Sequence, residues 1–267
     1  TLFLHAGLDV DIGELRSNAR VLASHLVLQI ALLSIGTIAA SLVFGLDTRP
    51  ALLVALAVLT PSTGFILDAL PSLALDADAQ RWVKTKAIAS EIFALLALFV
   101  AVHSTSVVGL ASASLALVLM VVLLPAVFTG FVRFVLPYAP KSEFTFLVVV
   151  AFVCAFLTLR LGVYYLVGAF VVGVTAVRMR GSLPVLVSPH VLGAIELFAS
   201  FFVPFYFFKA GTHLTTADFT FASLGVGFFL LLFVLPVRVV AIALHRKAAL
   251  GEPVRAGTRV GLALLPT

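Results

Sequence analysis

Long apolar runs, separated by short polar segments, extend along the whole chain. About eight of these runs approach the ~20 apolar residues that a membrane-spanning helix needs. They are continuous and do not alternate, which argues against the strands of a membrane barrel. The predicted spans are residues 21–45, 50–70, 84–103, 107–132, 144–160, 163–177, 191–210 and 220–244. The pattern therefore predicts an all-α, polytopic membrane helix bundle.

The composition supports a domain that is surrounded by lipid. Of the 267 residues, 62% are hydrophobic and only 11% are charged. A soluble domain needs far more polar sequence to cover its surface. We therefore expect residues 1–267 to form one transmembrane domain. Both ends read as interrupted helices, with residues 1–4 ending one helix and residues 260–267 beginning another.

The charges of the loops predict an orientation. Thirteen of the 17 Lys and Arg residues fall on one side of the predicted membrane, and only Arg49 and Arg160 fall on the other. By the positive-inside rule the basic side is cytoplasmic. The net charge of +5 then reflects these loops and not a nucleic-acid partner. The basic segments are residues 9–20, 71–86, 133–143, 178–190 and 245–259.

A helix-breaking segment lies near the middle of span 50–70. Pro61 has no N–H and clashes with the preceding turn, and Gly64 weakens the helix further. We therefore predict a discontinuous helix near residues 60–64, with free carbonyls and hydroxyls that could bind an ion at mid-depth. A plain proline kink is the alternative. The hydroxyls of this segment belong to Thr60, Ser62 and Thr63.

Two charged residues are predicted to lie inside the membrane. Glu91, preceded by Ser90, is ~10 Å from the cytoplasmic end of its span. An ionised carboxylate there costs a few kcal/mol or more unless it faces water or a partner, so intramembrane carboxylates are usually functional. Arg238 lies at a similar depth and needs a carboxylate or carbonyl partner, for which Glu91 is a candidate. The alternatives are a structural glutamate bonded to a neighbouring helix and an arginine that snorkels to the headgroups.

Sequence signatures of soluble enzyme chemistry are missing. The chain has no nucleotide-binding glycine loop, no His-Glu-x-x-His and no Gly-x-Ser-x-Gly. Cys154 is the only cysteine, which excludes an intrachain disulfide and a cysteine metal cluster. The sequence therefore predicts neither an enzyme nor a cofactor.

The order of these features resembles the membrane domain of the monovalent cation:proton antiporter-2 family, which includes Kef-type and sodium–proton exchanger-like proteins. The resemblance rests on the broken segment, Ser90-Glu91, Arg238 and the stretches at 162–173 and 202–211. It implies an inverted-repeat transporter with two crossed, discontinuous helices, acting as a homodimer in a prokaryotic inner or plasma membrane.

The resemblance also implies roles for single residues. It assigns the ion-binding carboxylate to Glu91, its preceding partner to Ser90 and the basic residue that faces the site to Arg238. Family members more often have aspartate at the first position, and electrogenic members have two acidic residues there. The second crossed helix would begin near residues 261–267, which places its unwound stretch outside this chain.

Together these observations predict a secondary active transporter that exchanges Na⁺ or K⁺ for H⁺. Glu91 would carry either ion, and the hydroxyls of Thr60, Ser62 and Thr63 would complete the cation shell. A channel-like or organic-ion carrier on the same scaffold is one alternative. A membrane sensor or assembly subunit without flux is another.

Overall fold

The chain folds into helices that form two compact units. Within the part of the chain that the computed structural model describes, every regular element is helical. The described residues are 2–10, 12–103 and 106–266. The first unit consists of Thr1–Ile12 and Val102–Thr212, and the second of Gly13–Ala101 and His213–Thr267.

In the first unit, one helix is packed against two others. Its helices are α1 (Leu2–Leu8), α7 (Val107–Gly130), α8 (Glu143–Arg160), α9 (Tyr165–Arg178) and α10 (Pro189–Gly211). Helix α9 lies against both α1 and α8. Large side chains such as Phe128, Leu147 and Ile195 are fully buried in the core between these helices.

The second unit contains the segments to which the sequence assigns function. Its helices are most of α2 (Ile12–Ser17), then α3 (Ala19–Phe44), α4 (Thr48–Leu59), α5 (Thr63–Ala69), α6 (Ala77–His103), α11 (Phe221–Leu250) and α12 (Val254–Ala263). Helix α3 lies against α4, and α12 lies against α11. Helices α5, α6, α11 and α12 contribute to a common apolar core that includes Ile66, Val83, Ile242 and Val260.

Seven helical segments in the described part of the chain are long and apolar enough to cross a bilayer. They are Ala19–Phe44, Thr48–Leu67, Ala77–Val102, Val107–Val135, Glu143–Arg160, Pro189–Gly211 and Phe221–Leu250. The one remaining predicted span, residues 163–177, corresponds to α9. The 14 residues of α9 extend ~21 Å, less than the ~30 Å of a hydrocarbon core. These segments confirm the all-α polytopic bundle.

Many apolar side chains of these helices point away from the protein interior. Phe221 at the start of α11 is 97% exposed, and Phe208 of α10 is 75% exposed. Exposed apolar side chains in such numbers are unfavourable in water and favourable in hydrocarbon. The outward faces therefore fit a lipid environment.

Two helix boundaries correct the sequence prediction. Helix α6 begins at Ala77, so much of the predicted loop 71–86 is helical. Helix α11 continues to Leu250, and α12 follows at Val254, so most of the predicted loop 245–259 is helical too. Both helices start or end with polar turns, which hydropathy alone assigns to loops.

Helix α12 approaches α11 very closely because of two glycines one turn apart. A Cβ added to Gly257 would lie 2.8 Å from the Cα of Ala243, and one added to Gly261 would lie 3.0 Å from the carbonyl oxygen of Val239. Small residues spaced in this way allow two helix backbones to pack closely within a membrane. The close packing fixes where the chain emerges from the end of α12.

Candidate functional site

The helix break lies where the sequence predicts it. Helix α4 ends at Leu59, and α5 begins at Thr63. Between them Thr60 (φ −85°, ψ 127°) and Ser62 (φ −83°, ψ 102°) are extended, as expected of residues around a proline. The discontinuous helix near residues 60–64 is therefore confirmed, with the break itself confined to 60–62 and Gly64 already inside α5.

A short non-helical segment follows α12. This helix ends at Ala263, and residues 264–266 leave the helical path. The backbone N–H of Ser62 donates a hydrogen bond to the carbonyl of Pro266, with a distance of 2.8 Å. The non-helical segments after α4 and α12 therefore touch each other. The expectation that the unwound stretch of a second crossed helix lies outside this chain stays a prediction.

Arg238 of α11 connects the C-terminal ends of α4 and α12. Its side chain is 3% exposed. Its guanidinium donates hydrogen bonds to the carbonyls of Val58 (3.2 Å), Leu265 (3.2 Å) and Leu264 (2.8 Å). These carbonyls lie at helix C-termini, where the backbone lacks helical donors and carries partial negative charge. Arg238 thus supplies positive charge to two helix ends at once.

The position of Arg238 corrects its predicted pairing with Glu91. Within the described residues no ion pair joins the two side chains, and the hydrogen bonds of the guanidinium go to carbonyls. The sequence could indicate that Arg238 needs an acceptor. It could not show that three backbone carbonyls would be brought together around it.

Glu91 of α6 and Thr63 at the start of α5 form the centre of the candidate site. The carboxylate is 7% exposed, and Thr63 is completely buried. The Thr63 hydroxyl is close enough to interact with the carboxylate. The contact is looser than a hydrogen bond, because neither Thr63 Oγ1 nor Glu91 Oε2 has a hydrogen-bond partner in the described part of the chain. Two buried oxygen atoms next to a helix break are thus left available for a ligand.

Ser90 does not share the surroundings of Glu91. Its hydroxyl accepts a hydrogen bond from the amide of Gln29 (3.2 Å) and lies 3.1 Å from Nε2 of His25. Both partners belong to α3. Consecutive helical residues point ~100° apart, so Ser90 faces α3 while Glu91 is directed differently. The predicted role of Ser90 as a direct ion ligand therefore has no support from its contacts.

Sequence reasoning missed a buried basic cluster that is formed by side chains of α3, α6 and α11. Lys86 of α6 is completely buried, although its position in the sequence places it in a cytoplasmic loop. Its amine lies 3.1 Å from Nδ1 of His245 on α11, and the ring of His245 lies 5.6 Å from that of His25. The available signal was that His25 falls within an apolar span. Its partners come from distant parts of the chain and could not be identified.

The arrangement as a whole suits a small cation more than a polydentate metal centre. No group of three or more His, Cys, Asp or Glu side chains that could hold a metal ion occurs in the described residues. One carboxylate with neutral oxygen neighbours provides a single negative charge, and oxygen is the ligand that hard cations prefer. The charge of a single carboxylate is balanced by one monovalent cation or one proton.

Comparison with known families agrees with this chemistry. The family model described as "Sodium/hydrogen exchanger, transmembrane" matches residues 1–267. A comparison with individual curated proteins gives no match. The matched family consists of transporters that move cations against protons across membranes, which accords with an integral membrane protein and not with an enzyme. The chain therefore belongs to the sodium/hydrogen exchanger transmembrane family.

Proposed function

We infer that the protein exchanges one monovalent cation, Na⁺ or K⁺, for one proton at the carboxylate of Glu91. The observation that supports this most directly is the unbonded pair of oxygen atoms, Glu91 Oε2 and Thr63 Oγ1, buried beside the helix break. Unbonded polar atoms in an apolar interior are costly and uncommon. A carboxylate kept in this state is suited to a ligand that comes and goes.

The exchange follows from competition for one negative charge. The ionised carboxylate binds a cation, with the hydroxyl oxygen of Thr63 as a second ligand. Thr60 and Ser62, in the extended segment, offer further hydroxyl and carbonyl oxygens. A proton on the carboxylate removes the charge and therefore the cation. Either loaded form is neutral at Glu91, whereas the empty site is charged and costly to move through the low-dielectric interior.

An experiment can distinguish between the two candidate cations, Na⁺ and K⁺. The description of the matching family names sodium, which makes Na⁺ the first ion to test. Na⁺ and K⁺ differ in size, so the number of oxygen atoms that the break presents will decide between them. Purified protein in liposomes that contain a pH-sensitive dye should move protons when either Na⁺ or K⁺ is added outside.

Glu91→Gln should abolish this exchange, because an amide neither titrates nor offers a negative charge. Glu196→Gln is the matched control, since Glu196 also lies in a membrane-spanning helix but is exposed. We expect the control to retain the exchange rate of the unchanged protein. Cation-dependent proton flux in a well-folded Glu91→Gln protein would contradict the proposal.

A further inference from the structure

A groove between α3 and α11 opens on the surface of the second unit. Its volume is about 650 Å³, and every residue that lines it is apolar except His245. Leu28 forms its α3 side, and the rest of the lining belongs to α11. Glu91 and Thr63 do not line the groove, so it is separate from the candidate cation site.

Small side chains of α11 make room for the groove. Ala241 and Ala248 are seven residues apart, which places them on one face of the helix, two turns from each other. Val237 and Leu244 lie on the same stripe, and both are exposed. The space above the two alanines therefore runs along the axis of α11.

The groove is about as long as one leaflet of a bilayer is thick. From Pro236 to Ala248 it extends ~18 Å along α11, whereas half of a hydrocarbon core is ~15 Å. Ala248 lies in the last turn of α11, which ends at Leu250. The groove thus leads from the end of this helix to about the middle of the membrane, on the side that the loop charges predict to be cytoplasmic.

The lining of the groove favours hydrocarbon over water. An ordered water needs about two to four polar partners. His245 offers none, because Lys86 engages its Nδ1 at 3.1 Å and Ser24 lies 2.8 Å from its Nε2. An empty groove would leave its walls without dispersion contacts on one side. An acyl chain avoids both costs.

Positive charge lies at one end of the groove. Lys247 is exposed and follows Leu244 by three residues, so the two side chains lie on the same side of α11. The neighbouring Arg246 is buried, and Glu252 already holds it through contacts of 2.6 and 2.9 Å. Lys247 is therefore the cation of this turn that a headgroup can reach. Basic residues at this depth favour anionic headgroups.

We propose that the groove is a binding site for one phospholipid with an anionic headgroup, taken from the leaflet that borders residues 245–259. One acyl chain lies over Ala241 and Ala248, and the phosphate lies beside Lys247. The lipid fills the space between α3 and α11 and stabilises the contact between these helices. This site does not depend on the function inferred for Glu91.

The test measures the melting temperature of the whole purified protein in detergent after its lipids have been removed. Dioleoylphosphatidylglycerol and dioleoylphosphatidylcholine are the probes, because they share their acyl chains and differ in headgroup charge. A bound lipid raises the melting temperature. We expect phosphatidylglycerol to reach half of its effect at an about fivefold lower concentration, as one lysine near a membrane surface provides. Native mass spectrometry should show one phosphatidylglycerol for each copy of the chain.

Two variants separate the acyl chain from the headgroup. Ala241→Phe fills the groove and should remove the stabilisation by both lipids, whereas Lys247→Gln should remove only the preference for phosphatidylglycerol. Ala111→Phe, at an exposed alanine of α7, and Lys141→Gln, at an exposed lysine, are the matched controls and should respond like the unchanged protein. If Ala241→Phe does not fold, Ala248→Leu fills the groove near its end, and the same loss is expected.

Each outcome bears on the proposal. Loss of stabilisation in Ala241→Phe, with loss of the headgroup preference alone in Lys247→Gln, supports it. Equal responses of Ala241→Phe and Ala111→Phe would mean that lipid coats the whole apolar surface, and would overturn it. A groove covered by protein, from this chain or a second copy, would leave the unchanged protein insensitive to both lipids, and also overturns it. None of these measurements involves transport, so failure of the function inferred for Glu91 would leave them unchanged.

Discussion

At the scale of single residues, Thr63 has a hydroxyl in a place where burying a methyl group would cost less free energy. It is completely buried and has no hydrogen-bond partner in the described part of the chain. An unbonded buried hydroxyl costs ~1–3 kcal/mol. This cost is understandable if the oxygen atom is a ligand of the cation that we propose at Glu91.

Thr63→Val should therefore weaken cation binding without harming the fold. Valine has nearly the same shape, so packing is kept while one oxygen ligand is lost. We expect the apparent cation affinity to fall about tenfold, equivalent to the ~1.5 kcal/mol of an interaction with a charged group. Titration of the exchange rate with Na⁺ and K⁺ in liposomes measures it. Thr129→Val, at an exposed threonine of α7, is the control and should change nothing.

The same scale shows what linear sequence can and cannot reveal. Glu91 is recognisable because a carboxylate in an apolar span is costly anywhere. Lys86 is not, because it lies near the polar end of its helix and resembles a loop lysine. Its burial depends on His245, which is far away in the sequence. Burial of charge by distant partners is a tertiary property that no local pattern contains.

At the scale of elements, the C-terminal ends of α4 and α12 contact each other. The break after α4 could be predicted, because proline acts on its own helix. The position of the end of α12 could not be predicted, because α12 is held in place by the packing of Gly257 and Gly261 against α11. Arg238 then joins the two ends through backbone carbonyls. The contact between the ends of α4 and α12 thus depends on the packing of α12 against α11 and not on residues 264–266 alone.

Arg238→Ala tests whether this residue acts on helix ends or on Glu91. Loss of the guanidinium leaves three carbonyls without that donor in a water-poor interior, at a cost of ~1–3 kcal/mol each. We expect the melting temperature in detergent to fall by several degrees, while the pH dependence of any remaining exchange keeps its midpoint. Arg20→Ala, at an exposed arginine of α3, should leave both unchanged. A shifted midpoint with unaltered stability would indicate direct action on Glu91.

At the scale of the whole molecule, the alternation of charge predicts which ends of the helices face the cytoplasm. The predicted spans reappear as helices, seven of them long enough to cross a bilayer. The orientation rests on the 13 Lys and Arg residues of the basic segments. Within the first unit, this predicts that residues 178–190 face the cytoplasm and that Ser106, just before α7, faces the outside.

Ser182→Cys and Ser106→Cys test this orientation in a Cys154→Ala background. Both serines are exposed, whereas Cys154 is buried. An impermeant thiol reagent added to intact cells should label Cys at position 106 and leave position 182 unlabelled until the membrane is opened. Labelling of position 182 in intact cells would reverse the assignment of sides.

The contacts between the helix break after α4 and the residues after α12 have a consequence for the synthesis of the chain. Arg238 is separated from Val58 by 180 residues, and Pro266 lies still further along the chain from Ser62. A chain that leaves the ribosome in order makes these partners long after the first break, and closing so long a loop is slow. The early helices must therefore wait in the bilayer with an incomplete polar gap. The surroundings of the first break are therefore completed late, and a chain truncated before residue 264 should leave the N–H of Ser62 and part of the Arg238 guanidinium without these acceptors.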